Sequence, residues 1–191
     1  MKTKTYLILA PLAAMWAVEL VNLSIDHRLV EWGILPRTVS GLKGIPLSPF
    51  IHGSISHALS NSIPFVVLGS AVLMQGARRF VMLSLLVVFG GGGIVWLMAR
   101  ASFHVGASGV VFGYFGYVLG RGYYEHTLKA IAIAIVALVL YGGVLLGLAP
   151  TGAEISWEGH LAGFLVGILG ARMMRSRRAP TADRQAHAAG S

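Results

Sequence analysis

The sequence predicts an all-α membrane protein with six transmembrane helices. Of its 191 residues, 55% are hydrophobic and only 12% are charged, whereas a soluble domain carries about 25% charged residues. Residues 80–99 and 130–148 contain no charged side chain, and a helix needs about 20 apolar residues to cross the hydrocarbon core of a bilayer. The length fits one domain, which we expect to cover residues 1–178.

The predicted helices follow the apolar segments in order. The first segment is longer than the apolar region of a signal peptide and lacks a small-residue cleavage site after it, so we expect a retained helix. A long link with three prolines follows it, and the later links are short. We place the helices near residues 6–25, 53–75, 79–100, 107–122, 127–149 and 158–175, and a flexible cytoplasmic tail at residues 179–191.

The basic residues orient these helices. With the N-terminus in the cytoplasm, the inner segments hold 11 Lys and Arg residues and the outer segments hold 4. The positive-inside rule then places both termini in the cytoplasm and the protein in the cell membrane as a multi-pass chain. Because the basic residues are dispersed between apolar segments, they indicate membrane topology and no nucleic-acid binding. The chain has no cysteine, which excludes disulfides, thiolate nucleophiles and Cys-based metal sites.

Polar residues on three helices converge on the outer side of the membrane in this orientation. Ser108 begins the fourth helix and His160 begins the sixth. His52 precedes the second helix, and His57 and Asn61 lie in its first two turns on a shared face. Because polar groups are costly inside a membrane and mark functional sites there, we expect these five side chains to form one site.

Glycine repeats predict close contact between the fourth and sixth helices. The fourth reads GVVFGYFGYVLG and the sixth GHLAGFLVGILG, and small residues at this spacing let helix backbones approach each other. His160 shares one face with Gly163 and Gly167, so its imidazole should point along the contact and reach Ser108. Phe112 follows Ser108 by one helical turn, and we expect its ring to stack against the imidazole.

This set of residues suggests nucleophilic catalysis. A serine hydroxyl needs a neighbouring base to take its proton, and His160 is the candidate base for Ser108. Since no carboxylate is placed to orient the imidazole, we expect a dyad. The negative oxygen that forms on attack needs preset donors, which His52, the Asn61 amide and the Ser108 backbone N–H can supply. Gly106 leaves backbone room beside the nucleophile.

Three segments of the sequence resemble the rhomboid intramembrane serine proteases. They are HGSISHALSN at residues 52–61, GASG at residues 106–109 and GHLAGFLVG at residues 159–167. The resemblance covers about residues 45–172 and implies a rhomboid-like bundle of six helices. Two features depart from the family pattern: the stretch GIPLSPF before His52 lacks a Trp-Arg pair, and Phe112 stands where the family often has tyrosine.

The resemblance also implies a function. Ser108 would be the nucleophile and His160 the general base, His52 and Asn61 would support the oxyanion, and His57 would be a structural neighbour. The substrates would be single-span membrane proteins, cut near the outer end of the transmembrane segment, at a site facing the non-cytoplasmic side of the bilayer. The family needs no metal or cofactor.

Other functions fit parts of the pattern. A catalytically silent rhomboid-like protein would bind transmembrane segments without cutting them. Polar residues on several helices are also found in small transporters and channels, the GASG segment fits simple helix packing, and the histidines suggest a metal site, although no carboxylate or cysteine accompanies them. The sequence predicts no particular oligomeric state.

Overall fold

The computed structural model describes residues 2–149 and 156–175. In this part of the chain, six helices have 14 or more residues, and we number them in chain order. They are α1 (Lys2–Ser24), α2 (Ile55–Leu73), α3 (Ala77–Met98), α4 (Ser108–Glu125), α5 (Leu128–Tyr141) and α6 (Trp157–Met173). The all-α prediction is confirmed for these residues, and the predicted tail at 179–191 lies outside them.

Three of the helices in the described part of the chain are long and apolar enough to cross a membrane. They are Thr5–Ser24 in α1, all of α2, and α3 from Ala77 to Met98. Helix α3 contains a π-helical stretch at Leu86–Gly91, beside a run of four glycines. Helix α5 is equally apolar but shorter. Several apolar helices in one bundle are typical of a polytopic membrane protein.

The fifth helix ends earlier than the sequence predicted. The prediction ran to residue 149, but the α-helix stops at Tyr141 and continues as a 3-10 helix over Gly142–Leu148. Two consecutive glycines, Gly142 and Gly143, explain the change, because glycine weakens an α-helix by about 1 kcal/mol relative to alanine. The other helices begin and end within four residues of their predicted positions.

The long link after α1 folds over one end of the bundle. It forms short helical turns at Arg28–Trp32, Ser40–Lys43, Gly44–Leu47 and Ser48–Phe50. The Arg37 guanidinium donates to the carbonyl oxygen of Ala99 at 2.8 Å, just beyond the end of α3. Ile34 and His104 exchange two backbone hydrogen bonds. The link is thereby attached to the segment that leads into α4.

Helix α4 lies at the centre of the bundle and contacts α2, α3, α5 and α6. Its Tyr114, Phe115 and Tyr117 side chains are fully buried in the main apolar core. The Tyr114 hydroxyl shares a hydrogen bond of 2.7 Å with Ser84 of α3, which satisfies its polar end inside the core. The core therefore fixes α4, and with it the position of its first residue, Ser108.

Glycines form the contact between α4 and α6, as the sequence predicted. A Cβ atom on Gly163 would collide with the carbonyl oxygen of Gly109, and one on Gly167 with that of Gly113. Such a close approach of two backbones is possible only where the facing residues have no side chain. The first turns of α4 and α6 therefore lie side by side at the same end of the bundle.

Candidate active site

A large open cavity lies where α2, α4 and α6 begin. It holds about 1900 Å³ of space, including its open mouth. Four polar residues that the sequence singled out, Ser108, His160, His57 and Asn61, line its wall together with Phe112. Further polar groups on the wall are Ser54, Ser60, Arg100, Ser102, His104 and Ser156. The cavity is therefore polar enough to hold water beside Ser108 and His160.

The turn before Ser108 is held by two backbone hydrogen bonds. Gly106 donates its N–H to the Ser48 carbonyl oxygen at 2.9 Å. Ala107 donates its N–H to Nε2 of His52 at 3.2 Å. Helix α4 begins directly afterwards, and the N–H groups of its first two residues, Ser108 and Gly109, have no acceptor within the helix. Such donors at a helix N-terminus favour negative charge near Ser108.

The imidazole of His160 is fixed by a backbone carbonyl and by an aromatic ring. Its Nδ1 lies 2.9 Å from the carbonyl oxygen of Gly147. Because a carbonyl can only accept, Nδ1 carries the proton, and Nε2 of the neutral ring keeps a free lone pair. The ring of Phe112 stacks on the imidazole, with centroids 4.2 Å apart and planes tilted by 10°. His160 thus has the tautomer that a general base needs.

His57 lies beside the nucleophile candidate. Its backbone N–H donates to the Ser54 hydroxyl at 3.1 Å, so Ser54 caps α2. A Cβ atom on Gly106 would stand 2.8 Å from Nε2 of His57 and 3.7 Å from Oγ of Ser108. The imidazole of His57 and the hydroxyl of Ser108 therefore border the same small space, which the absent side chain of Gly106 leaves open.

Asn61 lies one turn further along α2. Its side-chain amide donates one hydrogen to the carbonyl oxygen of His57 at 3.0 Å, and the side chain is largely buried. A primary amide has two N–H donors. The second can serve a group that enters the cavity.

His52 occupies a different place from the one the sequence suggested. It is fully buried and outside the cavity wall, and its ring edge contacts His57 at a centroid distance of 4.9 Å. Burial and, to a smaller extent, nearby His57 lower the pKa of His52 to about 4, against a smaller opposite effect of the Phe50 backbone. The ring is therefore neutral near pH 7 and accepts from Ala107. Of the two histidines His52 and His57, it is His57 whose imidazole borders the space beside Ser108.

Two groups at the site were not predicted from the sequence. Gly147 orients His160 through its backbone carbonyl, a group that every residue carries and no motif can mark. Asn22 of α1 binds the backbone carbonyl of His52, and its polar side chain in an apolar helix was the only available signal.

Within residues 2–149 and 156–175, no group of three or more His, Asp or Glu side chains is spaced to hold a metal ion.

Comparison with known proteins supports the sequence motifs. The rhomboid domain matches residues 41–177 of the chain. The chain is 34% identical over 176 residues to uncharacterized proteins of Mycobacterium tuberculosis and Mycobacterium bovis, covering 87% of itself and 73% of each relative. It is 33% identical over 122 residues to RHOMBOID-like protein 4 of Arabidopsis thaliana, covering 63% of itself and 31% of that protein. The chain belongs to the rhomboid family of membrane proteins.

Proposed function

We propose that the protein is an intramembrane serine endopeptidase that cuts single-span membrane proteins near the outer end of their transmembrane segments. The observation that carries this proposal is the state of His160. Its Nδ1 is committed to the Gly147 carbonyl, which leaves Nε2 free to take a proton inside the cavity that Ser108 also lines. Family membership supports the same class of reaction, since rhomboids are generally serine proteases of the membrane.

In the reaction, Oγ of Ser108 attacks the carbonyl carbon of the scissile peptide bond while Nε2 of His160 takes the hydroxyl proton. The C–N bond then breaks, and His160 returns the proton to the leaving amine. Water from the cavity, activated by His160, hydrolyses the acyl-enzyme and frees Ser108. In the described part of the chain the Ser108 hydroxyl forms no hydrogen bond, and we expect its bond to His160 to form when substrate closes the cavity.

Donors around Ser108 would stabilise the oxyanion. The Ser108 backbone N–H at the start of α4 is one, and the second N–H of the Asn61 amide is another. The imidazole of His57, beside Ser108, is the third. Preset donors of this kind are each worth about 10²–10³-fold in kcat. His57 fits this role better than His52, because Nε2 of His52 already accepts from Ala107.

The open mouth and the polarity of the cavity favour a polypeptide substrate. Its wall carries hydroxyl, amide and imidazole groups from several segments of the chain, so an extended peptide that enters from the surface meets hydrogen-bond partners along its backbone. In the proposed topology the chain crosses the cell membrane six times with both termini in the cytoplasm, so that the cavity opens to the non-cytoplasmic side. A peptide bond there is reached by water, as hydrolysis requires.

The Ser108→Ala variant tests the proposed activity. We expect it to abolish cleavage of a tagged single-span substrate and labelling by a fluorophosphonate probe, because both need the Ser108 hydroxyl. Ser56→Ala is the matched control: it removes a hydroxyl from an exposed residue of α2 outside the cavity wall and should leave both signals unchanged. Substrate capture without cleavage or labelling by the unmodified protein would favour a silent binding protein instead.

A further inference from the structure

Helix α1 carries a fully buried amide whose polar atoms are both paired. Nδ2 of Asn22 donates to the carbonyl oxygen of His52 at 2.8 Å. Oδ1 of Asn22 accepts from the backbone N–H of Leu29 at 2.9 Å. The side chain has no exposed surface. A polar group is costly to bury unless its partners are well placed, so Asn22 firmly fixes the backbone at His52.

His52 connects this backbone anchor to the proposed site. Its carbonyl is held by Asn22 of α1, and its Nε2 accepts from the N–H of Ala107, the residue before Ser108. The edge of the same ring packs against His57. Because His52 is completely buried, a shift of its backbone has to move the ring, and a moved ring displaces Ala107, His57 or both.

We propose that Asn22 is a positioning residue for catalysis: by fixing His52, it sets the place of Ser108 and of the His57 imidazole. The inference rests on the proposed protease function. It gives α1 a part in the site, although the rhomboid domain matches only residues 41–177 and α1 lies before them. Displacing a reacting group by about 1 Å can cost 10²-fold in rate, so a small shift at His52 has a measurable effect.

The chain offers a matched control for the simpler possibility that Asn22 only attaches α1 to the bundle. Trp16, also in α1, donates its indole N–H to the Ser62 hydroxyl of α2 at 3.1 Å. Ser62 is not part of the cavity wall. Trp16→Phe therefore removes a hydrogen bond between α1 and α2 that involves no residue of the cavity wall, whereas Asn22→Ala removes the bond that leads to His52.

The experiment compares the full-length wild type, Asn22→Ala and Trp16→Phe in detergent. For each we measure kcat and KM on a single-span substrate, the rate of fluorophosphonate labelling and the midpoint of thermal unfolding. Asn22→Ala should lower kcat and the labelling rate by about tenfold or more and leave KM nearly unchanged. Trp16→Phe should lower the unfolding midpoint but leave both rates near those of the wild type.

Several outcomes would overturn the proposal. The first is a wild-type rate in Asn22→Ala. The second is a loss of rate in Trp16→Phe as large as that in Asn22→Ala. The third is a loss of rate in Asn22→Ala that is fully explained by a smaller folded fraction of that variant. If Asn22→Ala does not fold, Asn22→Leu replaces it, since leucine leaves a smaller cavity than alanine in this buried site and has no donor for the His52 carbonyl. If neither variant folds, Asn22 serves folding and the proposal fails.

A double variant tests whether Asn22 acts through His52. His52→Ala removes the whole ring, and with it both the acceptor for Ala107 and the contact with His57. If the two residues act in one chain of contacts, Asn22→Ala combined with His52→Ala should be no slower than His52→Ala alone. Additive losses would contradict the chain of contacts. A wild type that neither cleaves substrate nor reacts with the probe would refute the proposed protease function itself. Failure of that function can therefore be told apart from failure of the positioning role of Asn22.

Discussion

At the scale of single residues, Gly106 is a position beside Ser108 that tolerates a side chain poorly. Its φ of +109° lies where other residues are strained, and a Cβ atom would stand 2.8 Å from Nε2 of His57. We expect Gly106→Ala to cost about 1–3 kcal/mol of stability and to slow fluorophosphonate labelling of Ser108 by about tenfold or more through the displaced imidazole.

The control for this variant is Gly93→Ala. Gly93 lies in α3, and a Cβ atom there would meet nothing within 4 Å. Thermal unfolding and labelling are measured on both variants. If Gly106→Ala labelled at the wild-type rate, the space between His57 and Ser108 would have no part in the reaction.

At the scale of the helices, the contact between α4 and α6 places the first turns of the two helices, which carry Ser108 and His160, side by side. A Cβ atom on Gly163 would overlap the carbonyl oxygen of Gly109, and a backbone atom cannot rotate away as a side chain can. We expect Gly163→Ala to destabilise the bundle by about 1–3 kcal/mol, as overpacking does, and to reduce cleavage by separating Ser108 from His160.

Gly93→Ala again provides the comparison, because it adds the same methyl group to a helix at an open position. Alanine favours a helix over glycine by up to about 1 kcal/mol, so this control should be neutral or stabilising. Equal unfolding midpoints for Gly163→Ala and Gly93→Ala would show that α4 and α6 are not held at contact distance.

The 3-10 segment after α5 contacts His160, the proposed base, from the other side. A Cβ atom on Gly147 would stand 3.1 Å from Nδ1 of His160 and 3.2 Å from Cζ of Phe112. We expect Gly147→Ala to push the carbonyl and the imidazole apart and to lower kcat by about tenfold. Gly143→Ala, in the same segment but with open space around its Cβ, should keep kcat. Equal kcat values in both variants would remove the Gly147 carbonyl from the mechanism.

These elements also show how far a sequence can predict the site. The glycine spacing in α4 and α6 predicted their contact, because close backbone approach needs small residues at regular intervals. Periodicity does not apply to the irregular link before α2, so it could not determine which histidine faces Ser108. It also missed the end of α5, where the glycine pair lies inside an apolar run.

At the scale of the whole molecule, most of the basic residues lie at the end of the bundle opposite to the polar cavity, although Arg100 is part of the cavity wall. The cavity opens where α2, α4 and α6 begin, whereas Arg121 and Arg172 lie near the ends of α4 and α6. Arg121 is paired with Glu125 at 2.7 Å. This separation is what the positive-inside rule expects of a protein whose site faces away from the cytoplasm.

Labelling of single cysteines tests this orientation on a background without native cysteine. Ala101 is exposed in the link between α3 and α4, and Leu128, at the first turn of α5, is 88% exposed. In spheroplasts, a membrane-impermeant maleimide should label Ala101→Cys directly and Leu128→Cys only after the membrane is permeabilised. The reverse pattern would turn the cavity toward the cytoplasm. Labelling of both in intact spheroplasts would mean that α4 does not cross the bilayer, because that helix alone separates the two positions along the chain.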